Sequence, residues 1–203
     1  MDTRQRIIEE AALMFRTYGI KAVTMDMLAE QLGISKRTIY ENFEDKDELL
    51  AGVLSWMAVK QKELYEKTFE DADNVIEAIF RLFDMMIEHY RNMSPSFRLD
   101  MEKSHQGLIR KLREKGEMPY RMDNTGMLKR GVREGIFRKD LNIGMTDKCL
   151  FEVMRMSTDK EAFKTVDINK AEIFRDFYIN YLRGICTPKG LEIIDYYTKR
   201  KKE

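Results

Sequence analysis

The sequence predicts an all-α fold. Apolar residues recur at helical offsets of three and four along most of the chain, no stretch alternates in the manner of a half-buried strand, and only three prolines interrupt 203 residues. We expect an N-terminal three-helix bundle at residues 1–48 and a larger helical domain at residues 49–203. Charged residues interrupt every apolar stretch before it reaches the roughly 18 residues of a membrane span, so no membrane partner is expected.

The first helix is predicted from Thr3 to Tyr18, with Gly19 closing it. One face of this segment is apolar at offsets of zero, three, four and seven, as expected of a helix that packs against a core. That face consists of Ile8, Ala11, Ala12 and Phe15.

Two shorter helices joined by a tight turn follow between Thr24 and Phe43. Thr24 is a candidate N-cap for the first, whose apolar side is predicted to be Met27, Leu28 and Leu32. Gly33 accepts the positive φ of a sharp turn, and Ser35 is the N-cap of the next helix. This pattern predicts a helix-turn-helix.

The second helix of this pair is two-sided. Ile39 and Phe43 are four positions apart and are expected to face inward, which directs hydrogen-bond donors outward. The outward set is Lys36, Arg37, Thr38, Tyr40 and Asn42. Donors of this kind suit phosphates and base edges in the major groove.

At these positions the sequence resembles the TetR family of bacterial transcription regulators. The residues that carry the resemblance are Thr24, Ala29, Gly33, Ile34, Ser35, Thr38, Ile39, Tyr40, Phe43, Lys46 and Leu49. The resemblance implies a DNA-binding regulator, in most such proteins a repressor, that binds a palindromic double-stranded operator as a homodimer and responds to a small-molecule effector. The implied DNA-binding residues are Thr24, Ser35, Lys36, Arg37, Thr38, Tyr40, Asn42 and Lys46.

Charge does not mark the whole chain as a nucleic-acid binder. The net charge is +1, and residues 1–50 hold seven Lys and Arg against ten Asp and Glu, a local charge of −3. Affinity for phosphates must therefore come from the placement of Lys36, Arg37 and Lys46. The two cysteines are far apart and no signal peptide is recognisable, so we expect reduced thiols and a cytoplasmic protein.

The rest of the chain is predicted to be a series of further helices. Their expected ranges are about 45–69, 73–91, 94–114, 120–135, 146–163 and 167–185, with a short last helix opening at 187–188. The first of them is expected to have an apolar stripe of Leu50, Val53, Leu54, Met57 and Leu64. Ser94 is the expected cap of the helix at 94–114, with Pro95 in its first turn. Phe137 and Leu141 are expected to anchor the loop before the last two long helices.

The middle of the chain is the predicted effector site, as the family resemblance implies. Fifteen methionines and many aromatic residues would give an adaptable apolar lining, although the same residues also suit a plain core. The candidate ligand-binding residues are Phe80, Phe83, Met86, Tyr90, Met101, His105 and Met154. His105 either orients a ligand or is a buried histidine satisfied by a neighbour.

The last two long helices carry dense apolar rows. TetR-like proteins dimerise through such helices, so the resemblance implies a homodimer, whereas periodicity alone is equally compatible with a core within one chain. The candidate interface residues are Met154, Phe174, Phe177, Tyr178, Tyr181, Leu182 and Ile185.

An enzyme is not expected. The two histidines do not form a zinc-protease motif, the cysteines lack zinc spacing, and no glycine-rich loop follows a strand, so no catalytic residue, cofactor or metal site is predicted. The alternative from another class is a helical adaptor or interaction protein of the same fold without specific DNA binding. The outward row of donors favours the DNA-binding regulator.

Overall fold

The structure, a computed structural model, describes residues 2–117, 123–158 and 170–200. This part of the chain is all-α, as predicted, and contains eleven helices. They are α1 Thr3–Tyr18, α2 Met25–Leu32, α3 Lys36–Tyr40, α4 Lys46–Asp71, α5 Val75–Asn92, α6 Pro95–Ser104, α7 Gln106–Glu114, α8 Thr125–Arg133, α9 Ile143–Thr158, α10 Lys170–Ile185 and α11 Pro188–Arg200.

The chain forms two compact units. The first unit comprises Met1–Leu64 and Glu88–Tyr120, and the second comprises Tyr65–Ile87 and Arg121–Glu203. This division follows compactness, so the functional boundary predicted between residues 48 and 49 stays a prediction.

The core of the first unit is built by α1 to α4 together with α6 and α7. The predicted apolar face of α1 is buried throughout, with Ala11 and Phe15 no more than 1% exposed. On α4, the side chains of Leu50 and Val53 are completely buried in the same core. Residues at helical spacing on α1 and α4 thus form a platform on which α2 and α3 pack.

Two predicted core positions are wrong. Met27 is 41% exposed, because the capped start of α2 turns Met25, Leu28 and Ala29 towards the core instead. Leu64, which was expected to continue the apolar stripe of α4, is 47% exposed.

The segment predicted as one helix from 94 to 114 is two helices, α6 and α7. His105 interrupts the helical backbone with φ −117° and ψ 13°. Ser94 caps α6 as predicted, since its Oγ accepts the Phe97 N–H at 3.1 Å, and Pro95 is the first helical residue. The break places His105 at a helix junction rather than on a continuous apolar face.

The second unit has its own core, to which α5, α8, α10 and α11 contribute. Phe137, the predicted loop anchor, is completely buried, and its ring lies where a side chain on Gly131 would be. Leu141, the second predicted anchor, is partly buried against the same core. The predicted helix ends near 120, 163 and 167 lie outside the described residues.

Candidate nucleic-acid interface

The helix-turn-helix consists of α2, the turn around Gly33, and α3. Gly33 has φ +65° and ψ 32°, the left-handed conformation that glycine tolerates best. The Ile34 N–H donates to the Ala29 carbonyl at 3.0 Å, so the turn closes on the end of α2. The sequence therefore ends one helix and begins the next within three residues.

Two of the predicted DNA contacts serve as helix caps. The Thr24 Oγ1 accepts the Met27 N–H at 3.1 Å, and the Ser35 Oγ accepts the Thr38 N–H at 3.0 Å. Each hydroxyl satisfies a backbone donor that the first helical turn leaves without a partner. Ser35 and Thr38 also share a hydrogen bond between their hydroxyl groups at 2.9 Å.

Buried anchors fix the orientation of α3. Ile39 is completely buried and Phe43 is 1% exposed, so the inner side of this short helix is held by the core of the first unit. The opposite edge is open to solvent. Arg37 has an 88% exposed side chain and Tyr40 is 47% exposed, as a helix that enters the major groove requires.

The two cations at the start of α3 are both paired with carboxylates. Lys36 Nζ lies 2.7 Å from Asp26 Oδ2, and this hydrogen bond raises the pKa of the lysine. Arg37 Nε lies 2.9 Å from Glu41 Oε1 in an i,i+4 pair. Both positive charges are therefore locally balanced before any DNA is met.

Two other predicted contacts have partners inside the protein. Asn42 Nδ2 donates to the Thr38 carbonyl at 2.8 Å. Lys46 Nζ donates to the Val23 carbonyl and is 5.9 Å from the Phe15 ring centroid. Burial lowers the pKa of Lys46. These residues support the loops that flank α2 and α3.

Sequence reasoning missed the structural role of Arg4. Its guanidinium carbon lies 4.1 Å from the Phe43 ring centroid, it donates to the Asn42 carbonyl, and its Nη2 is 3.2 Å from Glu48 Oε1. These contacts tie the start of α1 to the residues that follow α3. The partners lie about forty positions away in sequence, so no local pattern could have revealed them.

The predicted ligand-binding residues are distributed over both units. In the second unit, Phe80 and Phe83 are buried with their ring centroids 6.3 Å apart, while Met86 is 37% exposed. In the first unit, Met101 packs against the core and His105 occupies the junction between α6 and α7. The side chains of Tyr90 and Met154 lie outside the described ones.

Two clefts formed by described residues have volumes of about 290 and 500 Å³. None of the predicted ligand-binding residues lines either of them. The larger cleft is formed along α7 and the smaller one near α8.

The predicted interface residues of α10 differ in exposure. Tyr178, Leu182 and Ile185 are buried within the second unit, and Tyr181 is partly buried against the same core. Phe177 is 39% exposed. The side chains of Met154 and Phe174 lie outside the described ones.

In the described ranges, no three or more His, Cys, Asp or Glu side chains are grouped in a way that would hold a metal ion. Over the same ranges, none of the helices is long and apolar enough to cross a bilayer.

Comparison with known proteins connects this geometry to a family. A family model described as bacterial regulatory proteins of the tetR family matches residues 7–53, which cover most of α1 and all of α2 and α3. The HTH-type transcriptional repressor KstR2 of Mycobacterium tuberculosis H37Rv is 25% identical over 147 residues, covering 70% of this chain and 72% of KstR2.

Two solved structures share the fold. A transcriptional regulator from Cytophaga hutchinsonii has a TM-score of 0.61 at 18% identity and covers 90% of this chain and 98% of its own. The TetR-family repressor FadR of Thermus thermophilus, solved with lauroyl-CoA, has a TM-score of 0.56 at 19% identity and covers 89% and 94%.

A capped helix-turn-helix with an exposed second helix, together with these likenesses, defines a DNA-binding transcription regulator. The helix-turn-helix region of this chain, residues 7–53, is that of the TetR family of bacterial regulatory proteins.

Proposed function

We propose that the protein is a ligand-responsive transcriptional repressor that binds a palindromic operator as a homodimer. The observation that carries the proposal is the exposed edge of α3, where Arg37 and Tyr40 project from a helix anchored by the buried Ile39. The proposed DNA-contacting set remains Thr24, Ser35, Lys36, Arg37, Thr38, Tyr40, Asn42 and Lys46. Repression is supported by the similarity to KstR2, which is named a repressor.

Arg37 is the proposed specificity residue. Arginine can donate two parallel hydrogen bonds to the O6 and N7 atoms of guanine, which lysine reproduces less well. Arg37 lies in the first turn of α3, and the N-terminal residues of such a helix meet base edges first. Thr24, Tyr40 and Lys46 are proposed to contact the DNA backbone, and Lys36 and Thr38 are the other candidates for base contacts.

The homodimer is proposed to form through α9 and α10. Tyr178, Leu182 and Ile185 already serve the core of their own chain, so the partner would meet the opposite side of α10. That side has exposed residues at helical spacing, namely Phe177, Asn180 and Gly184. A large exposed aromatic residue beside small ones suits close packing of two helices.

A mass measurement tests this interface. We expect light scattering at micromolar concentration to give twice the 24.1 kDa mass of one chain. Phe177→Asp should shift the mass towards the monomer, whereas Tyr196→Asp should not, although Tyr196 is 58% exposed. A monomeric native protein, or equal effects of the two substitutions, would contradict the proposed interface.

The effector site is proposed to lie beyond residue 48. Phe80, Phe83 and Met86 are the candidate lining in the second unit, and Met101 and His105 are separate candidates in the first unit. The Nε2 atom of His105 is buried and makes no hydrogen bond with the described residues, so it is a candidate polar contact. The fold is compatible with ligand binding, since Thermus thermophilus FadR holds lauroyl-CoA.

Selection from a pool of random duplexes tests the central proposal. We expect the enriched duplexes to carry an inverted repeat with half-sites about one or a few helical turns apart, bound by two chains. Enrichment of no sequence would favour the alternative function, an adaptor of the same fold without specific DNA binding.

A further inference from the structure

A cleft in the second unit combines cations at its rim with an apolar floor. It lies beside α8 and the segment that leads into α9, and its volume is about 290 Å³. The residues that line it are Lys129, Val132, Arg133, Lys139, Leu141 and Ile143. None of them belongs to the proposed effector or DNA-binding sets.

The rim of this cleft consists of Lys129, Arg133 and Lys139, all three exposed. The side chains of these three residues make no ion pair or hydrogen bond with another described residue. Neighbouring cations differ in this respect, since Arg130 is paired with Glu134, and Arg138 lies 3.6 Å from Asp140. The cleft therefore gathers the cations of this region that lack a carboxylate partner among the described residues.

The two rim cations on α8 repel each other when no anion is bound between them. Lys129 and Arg133 are four positions apart on one helix, and like charges at this spacing repel each other. An anion between them would replace this repulsion by attraction. Lys139, from the loop after α8, contributes a third charge to the same cleft.

The floor of the cleft is apolar. Val132, Leu141 and Ile143 are partly buried and pack against the core of the second unit. Ile143 is also the first residue of α9, whose amino-terminal end carries a partial positive charge. A ligand bound here would thus meet positive charge at the rim and hydrocarbon beneath it.

We propose that this cleft binds an amphipathic anion, with a phosphate or carboxylate on the rim cations and a short apolar chain on the floor. The volume is at the lower end of the range for small-molecule sites, so the ligand would be a small molecule or the headgroup end of a lipid. Binding requires neither DNA nor an effector response, so the proposal can fail or hold independently of the proposed function.

Isothermal titration calorimetry with octyl phosphate below its micellar concentration is the direct test. Octyl phosphate should bind about tenfold more tightly than inorganic phosphate, which lacks the chain, or octyl glucoside, which lacks the charge. Lys129→Gln combined with Arg133→Gln should weaken binding by about fivefold or more, and Lys139→Gln alone by a smaller factor. Arg138→Gln is the matched control and should change nothing, because Arg138 does not line the cleft.

A substitution in the floor separates the two parts of the ligand. Leu141→Asn should weaken octyl phosphate and leave inorganic phosphate unchanged, provided that circular dichroism shows an intact fold. If Leu141→Asn does not fold, Ile143→Thr provides the same comparison. An equal effect on both ligands would overturn the assignment of the floor to an apolar chain.

Vesicles distinguish the two sources of such a ligand. If the protein sediments with phosphatidylglycerol vesicles but not with phosphatidylcholine vesicles, and Lys129→Gln/Arg133→Gln abolishes this, the result would support the site. The ligand would then be a lipid headgroup. Octyl phosphate binding without vesicle binding would support the site and assign a free amphiphile. If Lys129→Gln/Arg133→Gln bound octyl phosphate as tightly as the native protein does, the proposal would be overturned. It would also be overturned if the only effect of that variant were a weaker salt dependence of DNA binding, because the cations would then be DNA contacts.

Discussion

The ion pair between Arg37 and Glu41 leads to a specific prediction about DNA selectivity. Glu41→Gln removes the negative charge and keeps the shape of the side chain. Glu41 is at the carboxyl end of α3, where a negative charge is unfavourable to the helix dipole, so the helix should tolerate the change. Arg37 would then be available to any phosphate, and binding to DNA without an operator should become tighter.

The magnitude follows from the exposure of the pair. The side chains of Arg37 and Glu41 are 88% and 57% exposed, and an i,i+4 pair at such a site contributes about 0.3–0.5 kcal/mol. Its removal should tighten non-operator binding about twofold per protomer and about fourfold for a dimer. If each freed arginine gains one phosphate, the salt slope should become steeper by about 1.8 for the dimer.

Fluorescence anisotropy with a scrambled duplex, at several salt concentrations, measures both quantities. Asp26→Asn should act in the same direction, since it releases Lys36. Glu30→Gln, on α2, is the matched control, because it changes the net charge by the same amount as the other two substitutions. Glu30 pairs with no cation among the described residues, so this change releases none. Non-operator binding that stays unchanged in Glu41→Gln, or that rises equally in Glu30→Gln, would refute the reasoning.

Three further predictions concern residues that stabilise the two units. Ser35→Ala removes the N-cap of α3 and should lower the free energy of unfolding by about 1 kcal/mol in urea titrations. Gly131→Ala should cost about 1–3 kcal/mol, because the new Cβ would lie 2.1 Å from the Phe137 ring. Lys46→Ala should lower both stability and DNA affinity, each measured separately, whereas Lys46→Gln keeps a donor and should recover mainly the stability.

A specific result would contradict each of these three predictions. A urea midpoint for Ser35→Ala equal to that of the native protein would mean that the cap hydrogen bond contributes nothing. Gly126→Ala is the control for Gly131, because open space surrounds Gly126 on the same helix. Equal stability of these two variants would contradict the packing argument. If Lys46→Gln binds DNA as tightly as the native protein does, the positive charge of Lys46 contributes nothing to DNA affinity, and the proposed phosphate contact is wrong.

Local signals in the sequence predicted the helix-turn-helix well. The hydroxyl of Thr24, the φ of Gly33 and the hydroxyl of Ser35 act within three or four residues of their own position, so the sequence itself displays their partners. The limits of α1 were predicted for the same reason, since an apolar face and a closing glycine are both local.

Contacts made across the fold could not be predicted. Asp26 meets Lys36 only because the turn brings two helices together, and Arg4 meets Phe43 only because α1 packs on the residues after α3. The break at His105 was missed because no proline lies there and the nearest glycine, Gly107, is inside α7 rather than at the break. Burial on α10 was ambiguous for another reason: periodicity identifies an apolar face but does not say whether its own chain or a partner covers it.

The central claim is that the exposed edge of α3 reads a DNA sequence through Arg37. The most direct measurement is a pair of titrations of Arg37→Ala at one salt concentration, against the selected operator and against a scrambled duplex. We predict a loss of about 1–3 kcal/mol on the operator, as expected for a bidentate base contact, and almost none on the scrambled duplex, where Glu41 already holds the arginine. Equal losses on both duplexes would contradict the claim and reduce Arg37 to a backbone contact.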